Sequence, residues 1–193
     1  MGYRVVILAS GTGTLADSLI TASKQPGYPA SVVALGVDRP ARATEVARRH
    51  GIATFSVLPG DFPSRPAWDA GLAAAVAAFK PDLVVSAGFM RILGGPFLDR
   101  LGDRTINTHP ALLPAFPGAH AVRDALAAGV EVTGCTVHQV DDGVDTGPVI
   151  DQRRVAVLPG DSEASLHERI KVEERAMLAQ TVARLARAEL RLA

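Results

Sequence analysis

The first ninety residues alternate short apolar runs with longer stretches of helical pattern, and this alternation restricts the chain to few folds. The apolar runs predict strands at 4–10, 31–37, 53–57 and 82–87. The stretches between them predict helices at 14–24, 41–50 and 66–79. Because strands that alternate with helices usually pair in parallel, we expect an α/β fold with a mostly parallel twisted sheet flanked by helices.

The second half of the chain has a different pattern. A strand is predicted at 104–108, a helix at 119–128, strands at 133–140 and 148–157, and a final helix from about 162 to about 190. The last two strands have no helix between them, which indicates an antiparallel or mixed region. We expect a single Rossmann-like domain over 1–193.

Composition narrows the classes of partner. Twenty basic residues balance twenty acidic ones, which argues against a nucleic-acid groove or an anionic membrane surface. No apolar run reaches membrane-spanning length, and Val5–Ala9 is too short for a signal peptide. The single cysteine, Cys135, lies in a strand-like stretch and reads as a small buried hydrophobe. We expect a cytoplasmic monomer or homodimer with small-molecule partners.

A glycine turn follows the first strand and opens the first helix, in the string from Ser10 to Ala16. Glycines let the backbone approach an anion, and the free amides of a helix N-terminus attract phosphate. Gly11, Gly13 and Ala16 also satisfy a loose dinucleotide fingerprint, and Asp38 follows the second strand where a ribose-binding acid would lie. From these residues alone, a nicotinamide-dependent oxidoreductase is one candidate.

The segment from Ile106 to Ile150 brings together an amide, an imidazole and a carboxylate, in Asn107, His109 and Asp145. These groups suit acyl transfer, which needs a donor to an oxyanion, a group that titrates near neutral pH and a carboxylate to orient it. The prolines after His109 predict a rigid loop in which the Leu113–Pro114 step is a candidate for a cis peptide bond.

Several strings resemble, in order and spacing, the folate-dependent formyltransferase family, and within it the phosphoribosylglycinamide formyltransferases. The resemblance covers essentially the whole chain. The strings are Ser10–Thr14, Ser86–Leu93, Ile106–Pro110 with Leu112–Pro114 and Pro117–Gly118, Gly134–His138, and Asp145–Ile150.

The resemblance implies a formyltransferase fold and transfer of a formyl group from 10-formyltetrahydrofolate to the amine of glycinamide ribonucleotide. It also implies that no metal and no covalent enzyme intermediate take part. Asn107 would donate to the formyl oxygen and charged His109 would stabilise the oxyanion. Asp145 would favour that charge and help to move protons through water.

The same resemblance implies two ligand sites. The ribonucleotide would contact Gly13, Thr14, Leu15, Lys171 and Glu174. The folate would contact Arg65, Met90, Arg91, Ile92, Leu93, Asn107, Asp141 and Asp142, with possible support from His138. The resemblance thus implies a nucleotide- and phosphate-binding half at 1–100 and a catalytic and folate-binding half at 101–193. His50 and His167 are read as residues of helix surfaces. Leu15, Ala111 and Thr146 depart from the common family pattern. None of these departures removes a member of the proposed triad Asn107, His109 and Asp145.

Related activities share the catalytic set. A methionyl-tRNA formyltransferase would need a further C-terminal domain and a basic surface, and the zero net charge argues against it. A 10-formyltetrahydrofolate hydrolase would carry an added N-terminal domain, which we do not expect because the first strand begins at Arg4. The hydrolase remains an alternative, as do the oxidoreductase and a non-catalytic nucleotide-binding module.

Overall fold

A computed structural model describes residues 2–193 and contains one seven-stranded sheet with the order β3-β2-β1-β4-β5-β6-β7. The strands are β1 Tyr3–Ala9, β2 Ala30–Val37, β3 Ala53–Ser56, β4 Leu83–Ser86, β5 Thr105–His109, β6 Val132–Gln139 and β7 Val149–Ala156. The pairings among β1 to β5 are parallel, whereas β6 pairs antiparallel with both β5 and β7. The predicted α/β class and the mixed C-terminal region are both confirmed.

The helices cover both faces of this sheet. They are α1 Thr14–Ser23, α2 Arg42–Arg49, α3 Arg65–Ala77, α4 Gly95–Leu101, α5 Ala121–Ala127 and α6 Glu163–Ala186, with short 3₁₀ turns at Pro59–Asp61 and Gly102–Arg104. All the helices predicted from the sequence are present. Helix α5 begins two residues later than predicted, and α6 ends about four residues earlier.

The sequence patterns did not predict α4. Its first turn combines Gly95 with Pro96, which reads locally as a loop, and it has only seven residues. The helix forms because Phe97 and Leu101, four positions apart, bury their side chains in the same apolar cluster as Trp68 and Leu72 of α3. Tertiary packing therefore decides this element, and local propensity does not.

Alternation along the strands divides the apolar core into two layers. Val5 and Ile7 of β1 lie in a cluster with α1, α2, α5 and α6. Val6 and Leu8 lie in the other cluster, with α3 and α4. Because successive side chains point to opposite faces of a strand, each central strand contributes to both layers.

The antiparallel part is closely packed. A Cβ at Gly134 of β6 would lie 1.9 Å from the carbonyl oxygen of Arg153 on β7, so only glycine allows this approach of the two strands. The neighbouring Cys135 is fully buried, and burial raises the pKa of its thiol to about 12. The interpretation of Cys135 as a buried hydrophobe is confirmed. The peptide bond between Leu113 and Pro114 is cis.

No helix within residues 2–193 combines the length and the apolar character that crossing a membrane would require.

The long helix α6 offers a direct test of this packing. Its residue Ile170 is fully buried, whereas Val172 is 60% exposed. Ile170→Ala should lower the free energy of unfolding by about 2–5 kcal/mol, because it removes buried methyl groups and leaves a cavity. Val172→Ala should change it by less than about 0.5 kcal/mol. Urea denaturation of the two variants measures both effects, and equal losses would contradict the assigned helix orientation.

Candidate active site

A cavity lies at the carboxyl edge of the parallel strands, beside the point where the strand order reverses around β1. Its volume is about 680 Å³. The wall is formed by the glycine turn at 11–15, the loop at 86–93, the end of β5 at 107–110, the turn at 118–119, the segment around 138–145 and one face of α6. In open α/β sheets this edge is where ligands bind.

Strand geometry and one loop assemble the proposed triad. Asn107 and His109 lie two positions apart on β5 and therefore share a face, and Asp145 comes from the connection between β6 and β7. The Nδ1 atom of His109 lies 3.2 Å from Oδ2 of Asp145, and its Nε2 lies 2.8 Å from the carbonyl oxygen of Phe116. Both ring nitrogens face groups that can only accept, so the pocket suits a doubly protonated imidazolium.

Several donors hold the Asp145 carboxylate. The backbone N–H of Gly118 donates to Oδ2 at 2.8 Å, and Nε2 of His138 lies 3.5 Å from Oδ1. Burial raises the pKa of Asp145, but the hydrogen bonds from His138 and Gly118 and the charge of His109 outweigh it, so the pKa lies below the ordinary 3.8. Asp145 is therefore a fixed anion at neutral pH.

His138 connects the two ends of the triad. It is buried on β6 directly opposite Asn107, and its Nδ1 lies 2.9 Å from the carbonyl oxygen of Gln139. Its Nε2 lies 3.2 Å from the amide nitrogen of Asn107 and 3.5 Å from Oδ1 of Asp145, so the ring lies between the two residues. Asn107 itself lines the cavity, so its amide can also reach a ligand. This contact gives the proposed support by His138 a physical form.

The glycine turn presents backbone amides to the cavity. Gly13 has a left-handed φ of 79° and is the N-cap of α1, where no side chain caps the helix. A Cβ there would lie 2.7 Å from the Cα of Ala43, so the turn requires glycine. Thr14 and Leu15, which follow, also line the cavity. Uncapped amides at the start of a helix suit a phosphate group.

Asp38 does not have the role that the dinucleotide fingerprint predicted for it. Its side chain is fully buried and accepts hydrogen bonds from the Ser10 hydroxyl at 2.6 Å and from Arg39 and Arg91 at 2.8 Å each. Burial raises its pKa, but these donors outweigh burial and lower the pKa to about 2. Because its carboxylate is fully buried among these donors, Asp38 is not available to bind a ribose. The expectation of a ribose-binding acid at Asp38 is wrong.

The cluster around Asp38 also holds the segment Met90–Leu93, which was predicted to bind folate and is called the apolar strip below. The Ser10 hydroxyl accepts from the backbone N–H of Met90 at 2.9 Å. Met90 and Ile92 are 68% and 57% exposed at the cavity, although both are large apolar residues, while Leu93 is buried. An exposed apolar strip beside a polar cavity is a common feature of sites for flat ligands. Arg91 lines the cavity with its guanidinium paired to Asp38.

The other predicted folate residues differ in position. Arg65 does not line the cavity; it pairs with Asp69 at 3.1 Å, lies over the ring of Trp68 and donates to the Ile92 carbonyl. Arg65 therefore contacts the apolar strip through the backbone carbonyl of Ile92. Asp141 lines the cavity and accepts from the Thr146 hydroxyl at 2.8 Å, whereas Asp142 is exposed outside the lining.

One face of α6 completes the cavity with His167, Lys171 and Glu174, spaced by four and three positions. Lys171 and Glu174 were predicted to contact the ribonucleotide, whereas His167, interpreted as a residue of a helix surface, was not expected to line the cavity. His167 is half-buried, and burial together with the charge of Lys171 lowers its pKa below the usual 6.5. Its helical spacing to Lys171 is the sequence signal that could have placed it.

Thr108 is a further lining residue that the sequence patterns did not predict. It lies between Asn107 and His109, is 8% exposed and lines the cavity.

No group of three or more His, Cys, Asp or Glu side chains within residues 2–193 is arranged to hold a metal ion.

The Asp38 cluster makes stability depend on pH. Since the folded-state pKa of about 2 lies below the ordinary 3.8, the carboxylate stabilises the fold fully above about pH 5, and this is lost as the pH falls through about 2. The free energy of unfolding of Asp38→Asn should be lower than wild type by about 2 kcal/mol at pH 7. The deficit should shrink by roughly half at pH 3. Denaturant titrations at the two pH values measure it, and an equal deficit at both would contradict the pairing.

Comparisons with known proteins agree with this geometry. A family model described as Formyl transferase matches residues 3–182. The chain is 61% identical over 183 residues to the phosphoribosylglycinamide formyltransferase of Mycobacterium tuberculosis, across 95% of this chain and 85% of that relative. It is 41% identical over 174 residues to the protein of the same name from Escherichia coli, across 90% of this chain and 82% of that relative.

Solved structures give the same result. The crystal structure of glycinamide ribonucleotide transformylase 1 from Symbiobacterium toebii superimposes with a TM-score of 0.96 at 41% identity. The match covers 100% of this chain and 91% of that one. From the match of the family model over nearly the whole chain, and from the identity to these relatives, the chain belongs to the formyl transferase family.

Proposed function

We propose that this protein transfers the formyl group of 10-formyltetrahydrofolate to the amine of glycinamide ribonucleotide, a step of purine biosynthesis. The observation that carries the proposal is the position of Asn107, His109 and Asp145 in one cavity that also contains the uncapped amides of the glycine turn and the apolar strip at 90–93. The cavity thus offers a place for a phosphate, a place for a flat ring and the groups for acyl transfer. The names of the relatives supply the acceptor and the transferred formyl group. The folate donor follows from the family resemblance.

The proposed reaction begins with attack of the neutral amine of the acceptor on the formyl carbon. A new N–C bond forms, and the carbonyl electron pair moves to oxygen. The amide N–H of Asn107 and the charge of His109 stabilise this oxyanion. The Nε2–H that donates to the Phe116 carbonyl is the hydrogen that His109 would share with the oxyanion.

Collapse of the tetrahedral intermediate completes the transfer. The amine nitrogen loses a proton, which passes through water by way of Asp145 to N10 of the folate. The bond between the formyl carbon and N10 then breaks, and the C=O bond forms again. The products are a formamide and tetrahydrofolate. The amide and the imidazolium supply the oxyanion stabilisation, so the proposed mechanism uses no metal ion.

The acceptor site uses the glycine turn and α6. Backbone amides at Gly13, Thr14 and Leu15 would bind the phosphate, with a charge contribution from Lys171. The Lys171 ammonium now pairs with Glu168 at 2.8 Å and would turn from it to reach the phosphate. Because residue 15 is leucine, phosphate binding rests on backbone groups.

The donor site uses the strip from Met90 to Leu93, together with Asp141, which also lines the cavity. Exposed Met90 and Ile92 would pack on the flat folate ring. Arg91 would meet the glutamate tail, and Arg65 would fix the strip through the Ile92 carbonyl. Asp142 would contribute only through the backbone of its loop.

The two halves of the domain divide these tasks unequally. We infer that 1–100 holds the phosphate and the apolar strip, while 101–193 holds the triad and the α6 face. Balanced charge and a single buried cysteine support a cytoplasmic monomer or homodimer. Sedimentation analysis distinguishes the two oligomeric states.

An assay of formyl loss tests the function. The protein is mixed with 10-formyltetrahydrofolate, with and without glycinamide ribonucleotide, and release of tetrahydrofolate is followed. The proposal requires loss that depends on the acceptor. Loss without acceptor would indicate the hydrolase, which would share the triad, and no loss would defeat both activities. A parallel titration with nicotinamide cofactors should show no binding, since Asp38 is occupied.

Substitutions in the triad test the mechanism. Asn107→Ala, His109→Ala and Asp145→Ala should each lower turnover by at least about 10²-fold, because each removes a group that acts in the transition state. His50→Ala and Asp99→Asn are matched controls outside the cavity lining and should keep turnover within about twofold. A near-normal rate for any triad variant, with the fold intact by circular dichroism, would contradict its assigned role.

A further inference from the structure

The hydroxyl of Thr108 is a buried polar group with no hydrogen-bond partner within residues 2–193. On β5, the side chain of Ile106 lies in the apolar layer of α1 and α6, and Thr108 two positions later shares that face. Thr108 is only 8% exposed, and it lines the active-site cavity. Buried polar groups are nearly always paired, so an unpaired one in a residue that lines a cavity suggests that a ligand completes it.

The carboxyl group of Glu174 is a second buried polar group beside the cavity. Glu174 of α6 lines the cavity and is more than nine-tenths buried. Burial raises the pKa of its carboxyl, while a weak hydrogen-bonding contact with the Thr108 hydroxyl and the charges of Lys171 and Arg175 act in the opposite direction. The hydroxyl and the carboxyl are therefore neighbours, without a hydrogen bond between them that would satisfy Thr108.

The positions of Thr108 and Glu174 in the cavity indicate which part of the acceptor would contact them. Helix α6 packs against α1, whose N-terminus carries the phosphate amides, and Lys171 lies one turn from Glu174. Thr108 is adjacent to Asn107 and His109, where the amine would react. In a phosphorylated glycosylamine, the group between the phosphate and the amine end is the sugar. Its hydroxyls can both donate and accept, as an unpaired hydroxyl beside a carboxyl requires.

We propose that Thr108 determines specificity for the acceptor sugar, because its hydroxyl and the Glu174 carboxyl together hydrogen-bond a sugar hydroxyl. This inference rests on the proposed function. It adds a ligand contact at residue 108 that neither the sequence patterns nor the family resemblance assigned.

A matched control exists in the same sheet. The hydroxyl of Thr133 on β6 is also buried without a partner among residues 2–193, yet Thr133 does not line the cavity. Thr133→Val and Thr108→Val therefore remove the same group from the same kind of surroundings. Neither should lower the melting temperature, since valine has nearly the shape of threonine and no polar group to leave unpaired.

Steady-state kinetics test the inference. Thr108→Val should raise the KM for glycinamide ribonucleotide about tenfold, the effect of one lost hydrogen bond in a buried site, with kcat and the folate KM within about twofold. Thr108→Ser, which retains the hydroxyl, should stay within about threefold of wild type, and Thr133→Val should match wild type. An acceptor KM for Thr108→Val within about twofold of wild type, or an equal rise in Thr133→Val, would overturn the inference.

A binding measurement separates this inference from the proposed function. Ribose 5-phosphate carries the sugar and the phosphate without the reacting amine, and calorimetry with it needs no turnover. If wild-type protein shows no formyl transfer, the proposed function fails. A Kd for ribose 5-phosphate about tenfold weaker in Thr108→Val would still support the sugar contact, and an unchanged Kd would overturn it.

Discussion

The contact between the Asp145 carboxylate and the His109 ring is the interaction on which the rest of the site depends. Asp145 has a left-handed backbone, with φ of 55°, and its carboxylate is held by the Gly118 N–H while it faces two histidines. This one group ties the loop after β5 to the connection between β6 and β7. If the carboxylate moved, the His109 ring would lose the contact that orients it. His138, which lies against Asn107, would lose its contact with Asp145 as well.

The sheet makes this contact possible. Parallel strands bring the ends of β1, β4 and β5 to one edge, so the glycine turn, the apolar strip and the strand with Asn107 and His109 line one cavity. The change to antiparallel pairing at β6 then returns the chain beside β5 and places His138 opposite Asn107. The mixed topology is thus a condition for the triad. The family shown by the comparisons fits this arrangement.

Local sequence patterns are sufficient for most of the fold and for the triad. Apolar periodicity predicts all seven strands, and the residue types and loop settings of Asn107, His109 and Asp145 indicate acyl transfer from the sequence alone. These features depend on neighbours along the chain or on a recognised family pattern. The roles of individual ligand contacts remain predictions that mutagenesis must test.

The features that the sequence did not predict depend on partners far apart in the chain. Asp38 and Arg91 are 53 positions apart, and nothing local to Asp38 shows that Arg91 would pair with it. Helix α4 is stabilised by packing on α3 and not by its own propensity. Thr108 has the pattern of an ordinary strand residue until α6 places Glu174 beside it. Each error came from a contact that only the folded chain creates.

A double-mutant cycle on Asp145 and His109 tests the central claim most directly. Turnover is measured for wild type, Asp145→Asn, His109→Ala and the double variant under saturating substrates. If the carboxylate acts through the imidazole, the double variant should be no slower than the slower single variant, within about threefold, because groups that act as a unit are not additive. Multiplicative losses would show that the two residues act independently and would contradict the account.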